Sequence, residues 1–117
     1  MALIDSEGRI SIGLEIGKKL GYCPGKEICF IKVDDKTYRI EDAEYKAKED
    51  EFVLACETPS IDEKYRFFVP KTLRKIYTRE VIILENKKRL YLQFIRLKSD
   101  EEWLRAKLLG ALTDDRK

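Results

Sequence analysis

Two short runs of this chain place an aspartate four residues before an arginine: Asp5-Ser6-Glu7-Gly8-Arg9 and Asp62-Glu63-Lys64-Tyr65-Arg66. The spacing suits a tight turn in which the carboxylate grips the guanidinium and fixes the loop. Further cations follow each run: Lys18 after the first, and Lys71, Arg74 and Lys75 after the second, where Lys64 lies inside the run itself. Arginine and lysine so placed neutralise phosphates by releasing counterions, and a guanidinium fork can read guanine edges in the major groove. The aspartates are assigned to structure. The arginines stay open between two uses, because a paired carboxylate consumes the guanidinium that a polyanion would need.

Other chemistries find little support. The chain has no histidine to act as a base, and no serine or cysteine stands in a recognisable nucleophile setting. Gly13-x-x-x-Gly17-Lys18-Lys19 is one residue short of a phosphate loop and lacks its closing Ser/Thr. Cys23, Cys29 and Cys56 are odd in number and not in a Cys-x-x-Cys arrangement, a poor basis for zinc and consistent with reduced thiols. The expectation is a non-enzyme with no metal, no cofactor and no small-molecule substrate. The start lacks a basic segment followed by a long apolar run, and no apolar run approaches the roughly 20 residues of a membrane helix. A cytoplasmic protein without a membrane partner is expected.

The 117 residues carry a net charge of only +2, but the charge is sorted along the chain. Asp62 to Arg79 holds six basic side chains against two acids, Asp5 to Tyr22 balances to zero, and Glu41 to Glu51 holds six acids against two lysines.

The elements that must position these residues also occur twice, with Asp5/Asp62 and Arg9/Arg66 both 57 residues apart. Ile10-Ser11-Ile12 and Phe67-Phe68-Val69 read as short strands. Leu14, Ile16 and Leu20 fit one or two helical turns. In the second copy Pro70 suits a first helical turn, and Leu73, Ile76 and Tyr77 fall on one face. Hairpins follow: Glu27 to Val33 with Thr37 to Ile40, and Glu80 to Glu85 with Arg89 to Phe94. Between the copies a charged linker leads to a further strand, Glu51 to Cys56, expected to add an edge to the sheet. Ser99 with Glu102 reads as a capping box. Trp103, Leu104, Leu108 and Leu112 make a stripe expected to dock on the chain's own sheet, with self-association as the alternative. One unit is too small to enclose a core. Interlocking two buries Ile10, Ile12, Ile28 and Phe30 against Phe67, Val69, Val81 and Ile83, at about 25 cal/mol per Å² of apolar area.

Asp5 to Ile12, then Leu20-Gly21 and Pro24-Gly25-Lys26-Glu27-Ile28, resemble the SpoVT/AbrB swapped-hairpin superfamily, as do Asp62, Arg66 and Val69 to Lys75. Two such units in one chain are similar to its MraZ branch, and the resemblance runs to about Phe94. It implies a mainly β (α+β) fold with short helices, a pseudo-two-fold double swapped-hairpin β-barrel, followed by a C-terminal helix. Residues 1–98 would form one compact domain of two repeats (about 1–41 and 58–96), and residues 99–117 the amphipathic helix and tail. The resemblance also implies a transcriptional regulator binding duplex DNA through Arg9, Lys18, Lys64, Arg66, Lys71, Arg74 and Lys75, on a pseudo-palindromic or repeated site. The alternative is a protein-interaction or antitoxin-like module that keeps the fold without the DNA face. Three positions depart from the pattern. Gly13 replaces a usual proline, Gly17 a usual arginine, and Tyr65 a usual glycine. If only one copy meets a polyanion, the charge sorting selects the second.

Overall fold

The computed structural model describes residues 1–114, with side chains for residues 1–100 and 104–109. The chain is mainly β with short helices. Its elements are β1 (Ala2–Leu3), β2 (Arg9–Ser11), α1 (Leu14–Lys19), β3 (Ile28–Lys32), β4 (Thr37–Asp42) and β5 (Phe52–Val53). They continue with β6 (Arg66–Phe68), α2 (Lys71–Ile76), β7 (Glu80–Asn86), β8 (Arg89–Phe94) and α3 (Lys98–Asp114). Both expected hairpins form. In the second, Lys87 and Lys88 take φ of 52° and 63°, the two left-handed residues of a tight hairpin loop that follows the strand twist.

Six strands make one antiparallel sheet in the order β1-β7-β8-β4-β3-β5, and β2 pairs with β6 in a second, two-stranded sheet. The barrel expected from the resemblance does not close. Closure needs the two edges to pair with each other. Here the edges are β1 and β5, two residues each, at opposite ends of the order.

The two copies nevertheless interlock. Arg9↔Phe68, Ile10↔Phe67 and Ser11↔Arg66 pair across β2 and β6, so the register is centred on Ile10 and its own 57-residue counterpart. The opening segment of each copy lies on the hairpin of the other. Leu3 pairs with Glu80, and Ser60, its counterpart, bridges to Glu27. The Ile4 N–H donates to the Arg79 carbonyl (2.9 Å) just as the Ile61 N–H donates to that of Lys26 (2.9 Å). One core results, containing Ile10, Ile12, Ile28, Phe30, Phe67, Val69, Val81, Leu90 and Leu92. Each such side chain contributes about 1.5–3 kcal/mol on burial. Ile83 only packs at its margin, and Ile76 is exposed while Leu73 and Tyr77 are buried. The six-residue α2 makes too little of a turn to bury all three.

Tyr38 and Ile40 point into that core beside Ile10 and Phe67, so the intervening Arg39 faces the other side of the sheet. There the acidic linker folds over it. Glu41 and Glu51 accept from Arg39 at 2.6 and 2.5 Å, and the Tyr45 hydroxyl at 3.1 Å. Glu51 is held further by the Lys48 N–H (2.9 Å) and the Tyr45 hydroxyl (2.7 Å). Beyond this network β5 extends the sheet edge as expected, pairing Val53 with Ile31. The helix α3 departs from expectation. It begins one residue before Ser99, which therefore sits in the first turn rather than capping it. Leu104 and Leu108 are exposed rather than docked on the sheet, and α3 runs beside α2. The side chains of Glu102, Trp103 and Leu112 lie outside the described set.

The Lys48 N–H, then Arg39 and Tyr45, draw the Glu51 carboxyl from an ordinary 4.5 down to about 2. A folded-state value below the unfolded one stabilises fully above about pH 4.5, and the stabilisation is lost as pH falls towards 2. Glu51→Gln is therefore expected to melt below wild type at pH 7, with the gap closing by pH 2. Thermal unfolding followed across that range checks it.

Candidate nucleic-acid interface

Each Asp-x-x-x-Arg run folds into the same turn. Asp5 Oδ1 accepts from the N–H groups of Glu7 (2.9 Å) and Arg9 (2.8 Å), and its Oδ2 accepts from Arg9 Nε (3.0 Å). Asp62 does the same with Lys64 (2.9 Å), Arg66 (2.9 Å) and Arg66 Nε (2.8 Å). Short polar side chains bond their own backbone two to four residues on, which is why aspartate opens both turns. The Arg9 N–H holds the Asp5 carboxyl below its usual range. For Asp62 burial works the other way, but the N–H and guanidinium of Arg66 prevail and hold it low.

The competition over the guanidinium resolves differently in the two copies. The aspartate takes only Nε in each. Arg9 then gives its Nη2 to Glu7 (3.0 Å), so two acids occupy it. The counterpart of Glu7 is Lys64, and Asp62 is the only carboxylate paired with Arg66 among the described residues. Carboxylates thus engage Nε and Nη2 of Arg9 but only Nε of Arg66.

Each turn packs against the helix of the other copy. The Val69 N–H donates to the Gly8 carbonyl (2.8 Å) and, symmetrically, the Ile12 N–H to that of Tyr65 (3.0 Å). In the first junction Arg74 of α2 crosses Gly8, and its Nε donates to the Val69 carbonyl (2.8 Å). A β-carbon at Gly8 would sit 2.5 Å from Arg74 Nη1. In the second junction the partners are exchanged. Tyr65 stands in the place of Gly8, and Gly17 in the place of Arg74. A β-carbon at Gly17 would sit 2.1 Å from Tyr65 Cδ1. The large group comes from the helix on one side and from the loop on the other. Gly8 has φ of +90°, and Tyr65 holds the matching left-handed conformation at φ 57°, uncommon for a bulky residue. Burial of its ring over Gly17 offsets that strain.

This crossing distributes the cations of the second copy over both junctions. Lys71, Arg74 and Lys75 of the second copy lie on the helix that meets the Asp5–Arg9 loop of the first. Lys18 of the first copy lies on the helix that meets Lys64 and Arg66. Lys18, Lys64, Lys71 and Lys75 are exposed and form no ion pair among the described residues. The structure brings Glu7, Lys71 and Arg74 to one cleft of about 660 Å³ beside the half-exposed Phe68. Sequence reasoning missed Arg79, whose Nε donates to the Ile4 carbonyl (2.7 Å), and which lines a second recess with Arg74 and Lys98. It also missed the reciprocal Gly–large exchange, although the 57-residue offset contains the signal: Gly8 matches Tyr65, and Gly17 matches Arg74. No cluster of three or more Cys, Asp or Glu side chains suited to a metal occurs among the described residues.

The site is therefore a pair of aspartate-anchored turns, each seated on a short helix and together carrying exposed cations. No family model, no curated protein and no solved structure matches the chain.

Gly17→Ala is expected to lower stability by about 2 kcal/mol, the scale of overpacking against a buried ring. Tyr65→Gly in the same chain should relieve that clash, so a double-mutant cycle read by denaturant unfolding gives a coupling of about 1–3 kcal/mol.

Proposed function

We propose that this chain binds duplex DNA as a transcriptional regulator of the SpoVT/AbrB type, with its two units in an MraZ-like arrangement. The observation that carries the reading is the juxtaposition of two aspartate-anchored arginine turns, held back to back by the β2–β6 register, with Lys18, Lys64, Lys71 and Lys75 unpaired beside them. Cations on fixed loops and helix surfaces meet a row of phosphates without rearrangement, and a guanidinium fork such as that of Arg74 suits a base edge. The acidic linker, which would oppose such a partner on the same face, spends Glu41 and Glu51 on Arg39 across the sheet from β2 and β6. The interlocked pairing also supports the swapped-hairpin assignment, with an open sheet in place of a barrel.

A second reading, an interaction module, draws on α3. Leu104 and Leu108 are exposed there, and this reading assigns a second copy of the chain to that stripe. Among the described residues no helix is long and apolar enough to cross a membrane.

Titration with a generic duplex tests the first reading. Affinity should fall steeply between low and moderate salt. Lys71→Ala with Lys75→Ala, both exposed, should flatten the log–log salt slope by about two, one for each phosphate contact removed. A wild-type affinity indifferent to salt would falsify the proposal.

A further inference from the structure

We infer that the duplex recognised by this chain is not palindromic, because the two loop–helix junctions carry different cations at positions that the two-fold relation matches. The inference rests on the DNA-binding reading above and specifies its substrate. A two-fold protein meets a two-fold site only if the same donors recur at the same places in both halves. Here the β2–β6 register and the loop–helix hydrogen bonds obey the two-fold relation and the donors do not.

In the first junction the loop is acidic. Asp5 and Glu7 occupy Arg9, and the cations come from α2 as Lys71, Arg74 and Lys75. In the second junction the counterparts of Lys71 and Arg74 are Leu14 and Gly17, neither of them charged. Its loop supplies Lys64 in the place of Glu7 and Arg66 with a single acid, while α1 adds Lys18 and a Lys19 paired with Glu85. At four matched positions of the loops and helices, Glu7/Lys64, Leu14/Lys71, Gly17/Arg74 and Lys19/Ile76, the two-fold relation sets a cation against a non-cation. Only Lys18/Lys75 and Arg9/Arg66 match in type, and the second of these pairs differs in its acid partners.

Side-chain rotation cannot restore the symmetry. The space that Arg74 fills over Gly8 is filled over Gly17 by the Tyr65 ring, with 2.1 Å left to a β-carbon. Arg74 supplies a planar fork able to make two parallel bonds to one guanine edge, and the second junction has a buried phenol ring in that place. One half-site should therefore be read by the α2 fork, while the other is held by phosphate contacts of Lys64 and Arg66.

The test selects preferred duplexes from a randomised pool with the full chain, then maps phosphate protection on the winner for wild type, Lys64→Ala, Lys71→Ala and Arg74→Lys. Lys64 and Lys71 are exposed, Arg74→Lys keeps the charge and most of the stem while losing the Nε bond to Val69, and the denaturant midpoint of each variant verifies that it is folded. The expected consensus is not self-complementary. Lys64→Ala and Lys71→Ala should lose protection at opposite ends, each flattening the salt slope by about one. Arg74→Lys should relax base preference in the Lys71 half alone. A palindromic consensus, or loss of protection at both ends in either alanine variant, overturns the inference while salt-dependent binding leaves the DNA reading standing. Failure of the wild type to bind any duplex in a salt-dependent way overturns both.

Discussion

The pairing of β2 with β6 puts Ile10 opposite Phe67, and the rest of the molecule is arranged around that contact. Two strands of three residues each would be a poor sheet alone. They hold because their side chains enter a core that neither copy completes. Ile4 and Ile61 reach across it from the opening segments, while Phe30, Leu90 and Leu92 come from the hairpins. The same register sets the Asp5 and Asp62 turns at its two ends, so the positions of Arg9 and Arg66 follow from the core. Loss of the register would scatter the candidate site as well as the fold.

Much of this was legible in the residues. The repeated Asp-x-x-x-Arg runs, both hairpins and the extra edge strand follow from turn chemistry and alternation. Closure of the sheet did not. Whether an edge closes depends on the length and direction of β1 and β5, and Ala2–Leu3 and Phe52–Val53 carry too few residues to declare either. Arg39 was hidden for another reason. Thr37-Tyr38-Arg39-Ile40 alternates like a strand with one solvated face, and nothing local says that residues 43–51 will return to cover it. The α3 stripe misled because spacing specifies which residues share a face but not what that face meets.

Charge shows the same gap between order along the chain and order in space. Counted along the sequence, the linker is acidic and the second copy basic. In three dimensions two of the linker acids are spent on one buried guanidinium, whose own acidity is set by a contest. Burial would release its proton, and Glu51 and Glu41 hold that proton more firmly than usual. Removing Arg39 would leave Glu51 without its cation, while Glu41 would keep Arg89 at 3.2 Å. The basic helix α2, meanwhile, joins the loop of the other copy.

The exchange of Gly17 and Tyr65 for Arg74 and Gly8 has a consequence for how such a molecule can change over generations. In an assembly of identical chains every substitution is made twice, so an aromatic ring placed at one glycine would appear at both and meet two arginines. Here the duplicated units share a single covalent chain, and each position mutates alone. One junction can draw its bulk from the loop while the other draws it from the helix. Fusion thus frees the two halves to drift into complementary roles, in the way that subunits of a heterodimer do after gene duplication, without a second chain to express or to find.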